Sequence, residues 1–188
     1  MLCQSNGEDL VNCFSLVTYI PDPLRKFLDD LRRELVPGCV PAAHLTILPP
    51  RPLSGTTAEA IETISSRISD FSPFEIETGD VLVFPISDVV YLSIKEGSKE
   101  LLPMYKSLNV GPLQYQEPFP YHPHITLAQG LTRQDSILLA AVARLRWSEY
   151  AYQRVFPVES LAFVQNTTRN LWVDLAHFQL HPAPSIRR

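Results

Sequence analysis

The sequence predicts an α+β fold built on an internal duplication. Three observations carry this. Apolar residues alternate at period two in some short runs and recur at helical spacing in others, which separates strands from helices. The elements read strand, helix, strand, helix, two strands, then helix, strand, helix, two strands, approximately over 11–97 and 98–181. Each half carries one copy of a tetrapeptide, His44-Leu45-Thr46-Ile47 in the first and His124-Ile125-Thr126-Leu127 in the second.

Taken in order, residues 1–10 are polar and predict a loose start, and 12–20 read as a strand. Asp22-Pro23 predicts a helix start, with Asp22 as N-cap and Pro23 at the first helical position. Leu24, Phe27, Leu28, Leu31 and Leu35 follow at helical spacing and predict one buried stripe. Pro37-Gly38 ends that helix. The first motif strand covers about 42–48, and Pro49-Pro50-Arg51-Pro52 makes a stiff exit. A second helix is expected over about 57–69, with Ala58, Ile61, Ile64 and Ile68 inward. Strands near 74–84 and 88–95 come next, then a short helix near 99–108 whose Pro103 must lie in the first turn or break it.

Residues 109–123 form the longest irregular stretch, rich in proline and aromatics, and lead into the second motif strand at about 123–129. Long loops of this kind often wall a site. Thr132, with Asp135 three residues on, predicts a helix cap. Ile137, Leu138, Ala141, Val142 and Leu145 then predict its buried stripe. Strands at about 158–165 and 171–180, joined by a turn at 166–170, read as a hairpin, and the tail from 182 is expected to be loose.

Composition limits the function classes. A chain of 188 residues makes one domain, taken here as 1–188. Apolar content of 45% and charged content of 19% suit a folded protein rather than a disordered one. The net charge of −4 argues against a general nucleic-acid coat, though not against a local basic cleft. Cys3, Cys13 and Cys39 have no paired spacing, which argues against a disulfide framework and a zinc ribbon. No apolar run reaches spanning length and no signal peptide is recognisable, so a cytoplasmic, membrane-free protein is expected.

The two motifs carry the chemistry. In a strand, His and Thr two residues apart share one face, while the intervening Leu45 and Ile47, or Ile125 and Leu127, face the core. One such histidine could simply be satisfied by a backbone carbonyl, and threonine is common in strands. With only 5 histidines in the chain, two copies in matching contexts are not a chance result.

Paired His-x-Thr-x motifs about 80 residues apart resemble the 2H phosphoesterase superfamily, and most closely its bacterial 2′-5′ RNA ligase-like and cyclic phosphodiesterase branch. The resemblance runs from about Asn12 to His181. It implies two pseudo-symmetric lobes, each an antiparallel sheet with helices on its outer face, around a central cleft. It implies His44 and His124 as catalytic acid and base, and Thr46 and Thr126 as substrate-binding donors. Imidazole suits both proton-transfer roles near neutrality, and threonine hydroxyls can donate to phosphoryl oxygens. The expected activity is hydrolysis of 2′,3′-cyclic phosphates of RNA ends or small cyclic nucleotides, without metal or other cofactor. The expected partner is a small phosphodiester or RNA-end substrate, with no stable protein partner, and the protein a monomer.

Two alternatives remain open: an RNA 2′-5′ ligase, and a non-catalytic RNA- or nucleotide-binding module. Ligase-type members of the resembled family usually carry Arg or Lys five positions after the second motif histidine, where this chain has Gln129. A neutral amide cannot offset phosphate charge as a guanidinium does. Arg51 and Arg169 are candidates to replace it. Tyr91, Phe119 and Tyr121 are candidates to stack on a base. A metal at His122-Pro123-His124 is not expected, for want of further ligands at suitable spacing, and His177 and His181 are expected outside the chemistry.

Overall fold

A computed structural model of the chain describes residues 9–40 and 42–182. Most of the predicted loose start and tail, and Cys3, lie outside the described residues. In chain order the elements are β1 (Leu10–Tyr19), α1 (Leu24–Leu35), β2 (His44–Arg51), α2 (Thr57–Ile68), β3 (Phe74–Val83), β4 (Val90–Glu96), α3 (Ser98–Leu108), β5 (His124–Ala128), α4 (Arg133–Ser148), β6 (Val155–Val158), β7 (Ser160–Thr167) and β8 (Trp172–Gln179). A single 3-10 turn, Gly111–Leu113, interrupts the long loop before β5.

The strands form two antiparallel sheets, ordered β2-β1-β7-β8 and β5-β4-β3-β6. With the helices packed against them, this is the two-sheet α+β architecture that the sequence predicts. The sheets do not follow the two halves of the sequence, however. Each takes two strands from either half, so the chain passes between them and returns. One apolar core runs through both, from Leu16, Leu45 and Phe163 to Ile76, Leu92 and Ile125.

Each motif strand lies at an edge of its sheet, and β2 touches β5 where the sheets meet. Helix α1 follows β1 and reaches across to β5 and α4. Its buried stripe is Leu24, Leu28, Leu31 and Leu35, as predicted, with Phe27 packed at the margin. Its start is one residue later than predicted. Pro23 occupies the cap position, and Asp22 acts from outside, accepting from the Lys26 amide at 3.2 Å and from Arg25 at 2.7 Å.

Three further expectations are corrected. In α2, Ala60 rather than Ala58 faces inward, beside Ile64 and Ile68; a capping box between Thr56 and Glu59 fixes the first turn. Helix α3 contains Pro103 in its interior and continues past it, because Pro103 lies on the exposed face where water can reach the carbonyl left without its N–H. The cap of α4 is Thr132, whose hydroxyl accepts from the Asp135 amide at 3.2 Å, as predicted. Its buried face is not the predicted one. Ser136, Ala140, Ala143 and Trp147 face the sheet, while Ile137 and Leu145 are 57% and 62% exposed. The small residues bring the helix close to β3. There the Trp147 indole donates to the Gly79 carbonyl at 2.9 Å and Arg144 donates to the Val81 carbonyl at 3.1 Å. Those polar anchors, with the stacking of Trp147 on Tyr150, set the rotation of the helix.

Candidate active site

The two motif strands have the same local build. In β2 the pattern runs half-buried, buried, half-buried, buried over His44, Leu45, Thr46 and Ile47; in β5 it repeats over His124, Ile125, Thr126 and Leu127. Alternation therefore sinks the aliphatic residues into the core and leaves an imidazole and a hydroxyl on the face away from it.

Each imidazole is held in the same way. His44 Nδ1 lies 2.8 Å from the Ala42 carbonyl, and His124 Nδ1 lies 2.7 Å from the His122 carbonyl. A carbonyl can only accept, so Nδ1 carries the proton in both rings. Nε2 is then the nitrogen left for proton transfer. Burial pushes both imidazoles below their ordinary value, against the opposing pull of these carbonyls. Positive charge at Arg32 and His124 lowers His44 further, while Asp29 pulls it up. His122 does the same to His124 as Arg32 does to His44.

Behind His44 stands a buried cation that no pattern in the sequence marks. Arg32, on α1, is 6% exposed. Its Nη1 donates at 3.4 Å to the Ala42 carbonyl that also receives His44 Nδ1, and its Nε has no partner among the described residues. Asp29, one turn earlier, accepts from the Ala43 amide at 2.7 Å and so fixes the entry to β2.

The long loop closes the other side. Tyr121 stacks on Tyr105, with ring centroids 4.3 Å apart, and donates to the Thr46 carbonyl at 2.8 Å. Arg51, at the end of β2, is 2% exposed and is fully engaged. It donates to Glu117 at 2.5 Å, Asn109 at 2.7 Å, the Leu113 carbonyl at 3.1 Å and the Pro49 carbonyl at 2.9 Å. It is thus a strut for the loop and not a cation free to replace the missing basic residue. Arg169 pairs with Asp9 at the β7–β8 turn, away from the motifs. Gln129 is exposed just beyond β5.

A cavity of about 340 Å³ adjoins Thr46 and His124. Phe84, Ile86, Phe119 and His122 are among the residues that wall it. Tyr91 does not reach it as a free stacking surface; it is buried beneath Phe84, centroids 4.0 Å apart. Phe84 in turn meets the edge of His124 at 4.9 Å and His122 at 5.3 Å. The wall at 84–89 was invisible in the sequence, because nothing in a strand-connecting turn marks which ring will lean on a histidine. Among the described residues no three His, Cys, Asp or Glu side chains gather as a metal site would require. His177 sits on β8 beside Asp174 at 3.2 Å. No helix among the described residues is long and apolar enough to cross a membrane.

Two antiparallel sheets thus meet at matched His/Thr edge strands. The family described as the 2′-5′ RNA ligase superfamily matches residues 20–170, and the chain belongs to it. A Bacillus anthracis protein named "Putative phosphoesterase" is 25% identical over 142 residues, 73% of this chain and 78% of the relative. The fold is shared with E. coli LigT, solved with 3′-AMP, at 18% identity and a TM-score of 0.64 over 91% of this chain and 99% of that one. Kluyveromyces marxianus Usb1 is a more distant likeness, at 13% identity and a TM-score of 0.51 over 87% of this chain and 97% of that one.

Proposed function

We propose that the protein is a phosphodiesterase that opens 2′,3′-cyclic phosphates of RNA ends or small cyclic nucleotides, using His44 and His124 as acid and base. The observation that carries this reading is the meeting of β2 and β5 with identical imidazole tethers, Nδ1 to the carbonyl two residues back. One Nε2 takes a proton from water as its oxygen attacks phosphorus. The other gives a proton to the ribose oxygen as its bond to phosphorus breaks. In-line displacement places those two oxygens on opposite sides of phosphorus, which two facing imidazoles suit. Thr46 and Thr126 donate to the non-bridging oxygens where charge builds. The chemistry needs no metal, because imidazolium and hydroxyl donors supply the stabilisation.

The crystal structure of LigT with 3′-AMP and the structure of Usb1 with uridine monophosphate support a nucleotide-sized ligand for this fold. A ligase role is less well supported, since Gln129 is neutral and the charge of Arg51 is spent on Glu117.

The test is turnover of a panel of 2′,3′-cyclic nucleotides in EDTA by the wild type, His44→Ala and His124→Ala. The wild type is expected to turn over, and each variant to lose at least about a hundredfold. Full activity in both variants, or metal-dependent activity in the wild type, would overturn the assignment.

A further inference from the structure

The segment that delivers His124 is mounted on the strand that carries His44. Strands β2 and β5 are edges of different sheets, and each pairs with one neighbour, β1 and β4 respectively. On β5 the pairing begins at His124 itself, opposite Ser93. The residues just before it find two polar supports on β2. At the end of that strand, Arg51 gathers Asn109, Leu113 and Glu117. Nearer its start, the Thr46 carbonyl accepts from the Tyr121 hydroxyl at 2.8 Å. Tyr105, on α3, links the two supports: its ring stacks on Tyr121 within 7° of parallel and lies 5.9 Å from the Arg51 guanidinium.

Among the described residues, the Tyr121 hydroxyl makes the sole hydrogen bond between β2 and the stretch 118–128. It closes a short path between the two imidazoles. Thr46 lies two residues from His44, and Tyr121 three from His124. Pro120 and Pro123 bracket the second step and hold their φ angles, so that step has little slack. Strands β2 and β5 also touch through apolar side chains, but apolar packing is non-directional and lets edges slide. A hydrogen bond has a preferred length and angle, and so fixes the offset. Burial pushes the Tyr121 phenol above its ordinary value, which keeps the hydroxyl a donor around neutral pH.

We propose that Tyr121 is a positioning residue, whose hydroxyl sets the gap between the His44 and His124 imidazoles by holding the approach to β5 against Thr46. An error of about 1 Å in the placement of reacting groups can cost about a hundredfold in rate. Ground-state binding is less sensitive, since a phosphate can shift with whichever donors hold it. This rests on the phosphodiesterase reading above and adds the residue that keeps its two halves in register.

The test uses Tyr121→Phe, which keeps the ring and deletes the hydroxyl. With a 2′,3′-cyclic nucleotide as substrate, kcat is expected to fall about tenfold and KM to change by less than about twofold. An unchanged kcat, or a loss carried mainly by KM, overturns the inference. A second readout needs no turnover. The charge of His124 lowers the pKa of His44, so His124→Gln should raise it, as followed by the ring resonances of His44 in an NMR titration. The size of that rise reports how close the rings stand. Arg32 and Asp29 also act on His44, but they do so with and without His124 and cancel in the difference. The rise is expected to be smaller in the Tyr121→Phe background, where the gap has opened. An equal rise in both backgrounds overturns the inference even if kcat falls. If the wild type turns over no cyclic nucleotide while the two rises differ, the phosphodiesterase reading fails and the positioning of the two rings by Tyr121 stands.

Discussion

A histidine acts as acid or base according to what surrounds it, and here burial and a backbone carbonyl act on both imidazoles in the same directions. Burial lowers both below the ordinary imidazole value of about 6.5. The neutral form therefore persists to lower pH, and the protonated form is lost earlier as pH rises. The expected kcat/KM profile is a bell centred on the acid side of about pH 6.5. Arg32 adds a second handle, because its charge helps to hold His44 down. In Arg32→Gln that repulsion disappears and the pKa of His44 rises. The limb of the bell belonging to His44 should shift to higher pH, while the other limb stays. A moving ascending limb would mark His44 as the base, and a moving descending limb as the acid. If neither limb moves, Arg32 does not act on His44. The motif residues were legible from sequence because alternation and repetition are local properties. Arg32 was not, since a polar residue on a helix reads as solvent-facing until the helix is docked.

At the scale of elements, periodicity located the helices better than it located their faces. Helix α1 buries the leucines that its spacing marks, whereas α4 turns its aliphatic stripe outward and rests on Ala140, Ala143 and Trp147. Hydrophobic spacing says that a stripe exists; close approach and polar anchors decide which stripe faces the sheet. Leu145→Ser should therefore leave thermal stability within about 0.5 kcal/mol of the wild type, as for an ordinary surface change. Trp147→Ala should cost about 3–5 kcal/mol, the range for removing a large buried ring. Thermal or denaturant unfolding of the two variants checks the contrast, and a comparable loss in both would place the aliphatic stripe back in the interior. The short strand β6 has no clear sequence signature for a related reason. Its Pro157 argues against a strand, yet an edge position tolerates the missing donor.

Across the whole molecule, the order of elements was legible but the assignment of strands to sheets was not, because hydrophobic patterns do not name a strand's neighbour. Strand β1 pairs with β7 through contacts such as Val17 with Ala162, and β3 pairs with β6. Residues 1–97 alone would thus leave β1, β3 and β4 each missing a partner. That fragment should show neither cooperative melting nor dispersed amide resonances, and a cooperatively folded fragment would refute the interdependence of the two sheets. The same interleaving sets a timetable during synthesis on the ribosome. The nascent chain presents β1 and β2 early, but β7 emerges only after roughly 110 more residues, about 5–22 s later at ordinary elongation rates. Through that interval the His44 strand waits in an incomplete sheet, while β3, β4 and β5 can already associate. The strand carrying His124 thus finds its neighbour β4 already made, whereas β1, beside the strand carrying His44, has to await β7 near the end of the chain.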